Sequence, residues 1–307
     1  MDYRSLACHV KVRYPGNLAS IFSPAFIRRL SDPSPLHEIL DASGLAREAL
    51  ALPRIGDVFD FSYAVLQRHY RCEYLYKNAI AAKILLGRHS PRTATLLTET
   101  GVSECKADLV LVNGTTTAYE IKTELDSLDR LPAQLQAYSR AFDNVYVVTH
   151  EACVERVAKS LPEGVGLLVF TNRYTLSQSR EAVSNCDAID SSVVFDMLRR
   201  AEYVPIIRRH FGVVPDVPNT IIYTACRKLF LELSKEVVRA ELANALKARG
   251  RPLVSLETID TAPHSLKFHA IVGDLGPHQS HIFRKSLEGL LPEEGSNVLS
   301  LFARQAE

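Results

Sequence analysis

Asp108-Leu-Val-Leu-Val-Asn-Gly-Thr-Thr-Thr-Ala-Tyr-Glu-Ile-Lys122 reads as two strands joined by a tight connection. The run Leu109–Val112 is continuously apolar behind a charged start, as expected of a central strand covered on both faces. Asn113-Gly114 is a strong hairpin signal, and Thr115 to Thr123 supplies the returning strand. Side chains alternate along a strand, so Glu120 and Lys122 share one face while Tyr119 and Ile121 share the other. Whether Asp108 joins Glu120 and Lys122 depends on register. A two-residue turn would set Asp108 opposite Tyr119, on the wrong face. A three-residue connection with a glycine-dependent bulge sets it opposite Glu120, and that bulged or longer connection is the expectation.

With that register two carboxylates converge beside a lysine. Mg²⁺ and Mn²⁺ take hard oxygen ligands, commonly one or two carboxylates with waters and phosphate. The expected metal ligands are Asp108, Glu120 and the backbone carbonyl of Ile121. Lys122 would orient or deprotonate a water, or stabilise charge building on phosphorus. Spacing alone equally permits a surface ion pair between Lys122 and an acid, which contributes little.

Outward from the hairpin, 94–100 reads as a strand, Val145–Val148 as another and Val165–Phe170 as a third. Helical stripes lie over 61–87, 129–142 and 151–160. The order predicts an α/β core with a mixed central sheet flanked by helices. Before it, breakers such as Pro15-Gly16 and the Ser31–Pro35 cluster punctuate short helical pieces, giving a helical N-terminal cap over 1–60. The core is then 61–172. Beyond residue 171 strand signals fade and helical ones continue, over 191–211, 219–249 and 281–291, which predicts a mostly helical accessory domain over 173–307.

Composition narrows the class. The chain has 307 residues, 47% hydrophobic, which suits a sizeable packed core. No window approaches the roughly 20 unbroken apolar residues of a membrane span, and Met1-Asp2-Tyr3-Arg4 lacks a signal-peptide layout, so a cytoplasmic soluble protein is expected. The six cysteines lie far apart with no CxxC pairing, which argues against structural zinc and for free thiols.

Asp108 followed by Glu120-Ile121-Lys122 resembles the PD-(D/E)XK nuclease superfamily, over about residues 65–170 and including the element order. Ala107 stands where many members carry proline. Thr123, and Gln134 with Tyr138 one helical turn apart, resemble the RecB-like branch and its Gln-x-x-x-Tyr element. The longer run Tyr119–Arg130 is similar to a poorly characterised family of bacterial and phage-carried proteins with this core. The resemblance implies a restriction-endonuclease-like fold with Asp108, Glu120 and Lys122 as its catalytic set. It also implies Glu73 as an additional metal-binding carboxylate, and Gln134 and Tyr138 as supporting or substrate-contacting residues.

The formal net charge of +1 means that a nucleic-acid enzyme would have to gather its positive charge locally. Arg199, Arg200, Arg208 and Arg209 form one basic region and are the expected phosphate contacts. A second set, Arg227 to Arg251, is diluted by Glu232, Glu236 and Glu241 in the pattern of a solvated helix. The function read from the sequence is a Mg²⁺- or Mn²⁺-dependent nuclease, phage- or defence-associated, with DNA favoured over RNA and the accessory domain gripping nucleic acid or a protein partner. The competing readings are a ribonuclease toxin or defence effector, and a non-catalytic nucleic-acid-binding or regulatory protein that keeps the fold.

Overall fold

The computed structural model describes residues 2–250, 256–273 and 275–291; Arg251 of the second basic set lies outside them. The chain forms two compact units, one of residues 79–252 and one of 1–78 with 253–307. These boundaries differ from the 1–60, 61–172 and 173–307 divisions that composition and pattern suggest.

The unit of residues 79–252 is built on a six-stranded mixed sheet in the order β1-β2-β3-β4-β5-β6. The strands are β1 (Thr95–Val102), β2 (Cys105–Val112), β3 (Thr116–Lys122), β4 (Asn144–His150), β5 (Gly166–Phe170) and β6 (Leu176–Arg180). β1, β2 and β3 are antiparallel neighbours, β3, β4 and β5 run parallel, and β6 returns antiparallel. β6 carries no strand signal in the sequence because it is an edge strand whose side chains are mostly exposed, so Leu-Ser-Gln-Ser-Arg needs no apolar alternation.

One face of this sheet supports the main core. Val110, Val112, Ala118, Val145, Val147 and Leu167 pack with Leu131, Leu135 and Phe142 of the helical segment after β3. Phe195, Tyr203, Ile207, Phe230, Leu242 and Leu246 complete the same core. The helices Ser191–Met197, Arg200–Phe211, Ile222–Phe230 and Lys235–Arg249 therefore spend their apolar stripes on the sheet. Their helical periodicity was visible in the sequence, but periodicity does not say which surface a stripe covers. The stretch 219–249 is two helices, with Ser234 capping the second through its hydroxyl.

The helical run expected over 61–87 is interrupted. Helix Ile55–His69 stops at Tyr70, whose backbone is extended, and a new helix begins at Glu73. That helix passes into a π turn at Ala81–Leu85 before ending in Leu86–Arg88. Among the described residues no helix is long and apolar enough to cross a membrane.

In the unit of residues 1–78 and 253–307, an aromatic cluster lies around Phe22. Its ring stacks on Tyr74 at 4.6 Å, and Tyr74 in turn stacks on His269 at 5.1 Å. His269 is buried and its Nε2 donates to the carbonyl of Phe22 at 2.8 Å. Burial lowers its pKa from 6.5 to about 4, opposed by that hydrogen bond and helped by Lys77. Between those two values the unfolded chain binds the extra proton, so stability falls as pH falls through this window. We expect His269 to account for about 2 kcal/mol of lost stability between pH 7.5 and pH 5. Urea midpoints across that range should decline more steeply for the native chain than for His269→Gln; parallel curves would refute the assignment.

Candidate functional site

The β2–β3 connection is Asn113-Gly114-Thr115, with Gly114 at φ +78°. The pairing Leu109↔Tyr119 and Val112↔Thr116 is the register expected of a three-residue connection. Carried one step further, it sets Asp108 opposite Glu120, on the face of Lys122. There the regular pairing ends, and the backbone N–H of Ile121 donates to the Asp108 carboxylate at 2.7 Å. The aspartate takes the place of a ladder acceptor where the two strands part, which helps to fix its position.

Glu120 and Lys122 are buried on this face. The Lys122 amine donates to Glu120 Oε1 at 2.8 Å and to Gln134 Oε1 at 3.0 Å. The Tyr138 hydroxyl is shared between Glu120 Oε2 at 2.9 Å and the carbonyl of Lys106 at 2.5 Å. Desolvation, then the charge of Glu120, holds that phenol well above its ordinary pKa, so it stays a neutral donor. Gln134 and Tyr138, one turn apart on helix Leu131–Ser139, thus reach the lysine and the glutamate from a single helix face. The helix itself begins at Arg130 with no side-chain cap.

One residue that sequence reasoning left out also borders this site. Glu99 of β1 lies across from Asp108, between the pairs Thr98↔Leu109 and Thr100↔Ala107. Its backbone is left-handed, φ +49°, which is rare for a non-glycine residue inside a strand and interrupts the ladder there. A carboxylate oxygen of Glu99 comes within 4.8 Å of one of Asp108. No local pattern marks a single strand residue for positive φ, so only coordinates reveal it. His150, at the end of β4 on the opposite face of the sheet, is buried, with Nδ1 2.8 Å from Glu124 and Nε2 3.2 Å from Asn172. It is tied to the end of β3 through the neighbouring Thr149, whose hydroxyl donates to the carbonyl of Lys122.

Glu73 belongs to the other compact unit, in the first turn of its helix, and pairs with Lys77 at 2.6 Å. The basic region does not present four free cations. Arg209 donates to both oxygens of the buried Glu241, which His210 also contacts, and Arg200 donates to Asn219. The Arg199 N–H is held by Glu202, itself paired with Arg249. Arg208 remains exposed, with no ion pair among the described residues.

The donor set of the sheet unit suits a hard divalent cation. Asp108 and Glu99 bring carboxylate oxygens within 4.8 Å of one another, donors of the kind a hard divalent cation takes. Glu120 stands across the strand from Asp108. The family model described as bacteriophage P4 protein cII matches residues 67–268. Protein cII of Enterobacteria phage P4 is 24% identical over 192 residues, covering 60% of this chain and 67% of the phage protein. No solved structure matches.

Proposed function

The chain belongs to the family of bacteriophage P4 protein cII, and we propose, from its own site residues, that its sheet unit is a metal-dependent phosphodiesterase of restriction-endonuclease-like, PD-(D/E)XK type, acting on nucleic acid with DNA favoured. One observation supports this reading above the rest: Asp108, Glu120 and Lys122 share a face where β2 and β3 part, with the lysine amine held by Glu120 and Gln134. A surface ion pair needs no such enclosure. Here the lysine and glutamate are nearly water-free and oriented by two further side chains from one helix.

Asp108 and Glu120 would hold Mg²⁺ or Mn²⁺, with Glu99 and the Ile121 carbonyl as additional oxygens. The bound cation supplies Lewis-acid polarisation of a phosphoryl oxygen and a lowered pKa for water. The chain's own residues do the positioning. Ile121 N–H fixes one oxygen of Asp108, Tyr138 fixes one oxygen of Glu120, and Gln134 aims Lys122. Lys122 would then orient the attacking water or neutralise charge building on the phosphoryl oxygens. The reading rests on the sheet unit's own residues and does not call on Glu73. Arg208 and Arg199 are the arginines of the basic region proposed to meet phosphate.

The test is incubation of the protein with single- and double-stranded DNA and RNA, with Mg²⁺, Mn²⁺ or chelator. We expect cleavage that needs the cation and falls by at least about 10³-fold in Asp108→Asn and in Lys122→Ala, the size typical of removing one electrostatic or acid–base contribution. Cleavage that survives either substitution would overturn the assigned site, and RNA as the preferred substrate would move the protein to the ribonuclease-effector reading.

A non-catalytic protein that keeps this fold has one observation in its favour, because both oxygens of Glu120 are already engaged by protein groups. Such a scaffold would gain no thermal stability from Mn²⁺. A metal site of millimolar affinity raises the unfolding temperature measurably at tens of millimolar cation, and Asp108→Asn should abolish that rise.

A further inference from the structure

The opposite face of the same sheet carries a cavity of about 270 Å³. Its floor is the odd-numbered side of β3 and its neighbours: Leu111, Thr117, Tyr119, Tyr146 and Leu168. Glu120 and Lys122 point the other way, so this cavity is not the carboxylate site. We propose that it binds one nucleotide unit, a planar base laid against the tyrosine floor with its phosphate toward Arg88.

Three observations carry the assignment. First, Tyr119 and Tyr146 are cross-strand partners whose rings stack on one another at 5.8 Å and 20°; Tyr119 is nearly covered, which leaves the half-buried Tyr146 as the aromatic surface that meets a ligand. That surface is built into the fold, since Gly166 is the register partner of Tyr146 and a Cβ there would fall 2.3 Å from its ring. The Tyr146 hydroxyl is further pinned by the Ala182 N–H at 3.3 Å. Aromatic floors of this kind hold bases of any sequence by stacking.

Second, the rim supplies amides. Asn113, Asn144 and Gln178 border the cavity, each offering one acceptor and two donors, the groups a base edge pairs with. Asn113 is fixed by a 2.8 Å contact with His89. Third, the charge is polarised. Arg88 and His89 stand at the β2 end, and Glu181 lies across the sheet beyond β6. Arg88 is exposed and makes no ion pair among the described residues. It also lies near enough to Tyr119 to oppose the rise that burial imposes on that phenol. A guanidinium so placed matches a phosphate. The volume, at the small end for ligand sites, suits one nucleotide rather than a dinucleotide.

This proposal is independent of cleavage, and its test is run in chelator so that nothing is hydrolysed. The four deoxynucleoside 5′-monophosphates, the matching nucleosides and a short single-stranded oligothymidylate are titrated into the full chain by calorimetry. We expect a 5′-monophosphate to bind at least about fivefold tighter than its nucleoside, as one charge-assisted contact implies. Arg88→Glu, at an exposed position that should not disturb folding, is expected to weaken the monophosphate by roughly tenfold or more and the nucleoside little. Tyr146→Leu should weaken both. Tighter binding of the oligonucleotide than of any monophosphate would place the nucleotide unit in a strand, and the reverse would make it a free ligand. No binding by 10 mM of every probe, or binding indifferent to Arg88→Glu, would overturn the proposal.

Discussion

Lys122→Met is expected to destabilise the sheet unit by about 3–5 kcal/mol while abolishing any cleavage, and Glu120→Gln added to it is expected to restore most of the stability without the activity. The reasoning starts from burial. Glu120 is 2% exposed and Lys122 8%, so the pair has given up nearly all its hydration. Each partner is then held by the other and by one helical side chain, Tyr138 for the glutamate and Gln134 for the lysine. Removing the amine leaves a desolvated carboxylate with only a phenol, and leaves Gln134 Oε1 without its donor, so the loss exceeds that of an exposed pair. Neutralising Glu120 as well removes the uncompensated charge, and a buried ion pair exchanged for neutral groups of similar volume is often no less stable. Denaturant unfolding of the four chains, native, two singles and double, measures the coupling directly. A single substitution costing under 1 kcal/mol would mean that water reaches the pair, and the enclosed geometry on which the proposed chemistry depends would be lost with it.

The elements around this pair were legible for definite reasons. Leu109–Val112 and Val145–Val148 are apolar runs because their strands are covered on both faces, and Asn113-Gly114-Thr115 needs a glycine at φ +78°. The placement of Asp108 beside Glu120 followed from counting along that loop. Gln134 and Tyr138 were found through a resemblance, and their contacts with Lys122 and Glu120 supply the physical reason for the spacing. What stayed hidden has no local signature. Glu99 is an ordinary glutamate in an ordinary strand until its backbone turns left-handed. β6 is short, exposed and polar. The helices between 191 and 249 show their stripes plainly, yet only packing reveals that those stripes join the core on one face of the sheet. Arg209 illustrates the same limit for charge: Glu241, which neutralises it, lies on a different helix.

Asp143→Ala is expected to cost about 3–5 kcal/mol, and Arg239→Met distinctly less, although the two residues form one ion pair. The asymmetry comes from what each partner leaves behind. Asp143 is 3% exposed and accepts from the Thr116 N–H at 2.8 Å, the Thr116 hydroxyl at 2.9 Å and Arg239 Nε at 2.5 Å. Its removal orphans three donors at once, two of them at the first residue of β3. Arg239 is more exposed, so without Asp143 its guanidinium can turn to water, and without Arg239 the aspartate keeps two of its three donors. Asp143→Asn should fall between them, since an amide oxygen still accepts but no longer faces an arginine as a charge. Thr116 lies about 13 Å along β3 from Glu120 at ordinary strand rise. The loss should therefore appear in global stability and in amide exchange at the start of β3, with the proposed metal binding at Asp108 and Glu120 less affected wherever the chain remains folded. Equal costs for Asp143→Ala and Arg239→Met would instead assign the stabilisation to the ion pair alone, and the two threonine contacts would carry nothing.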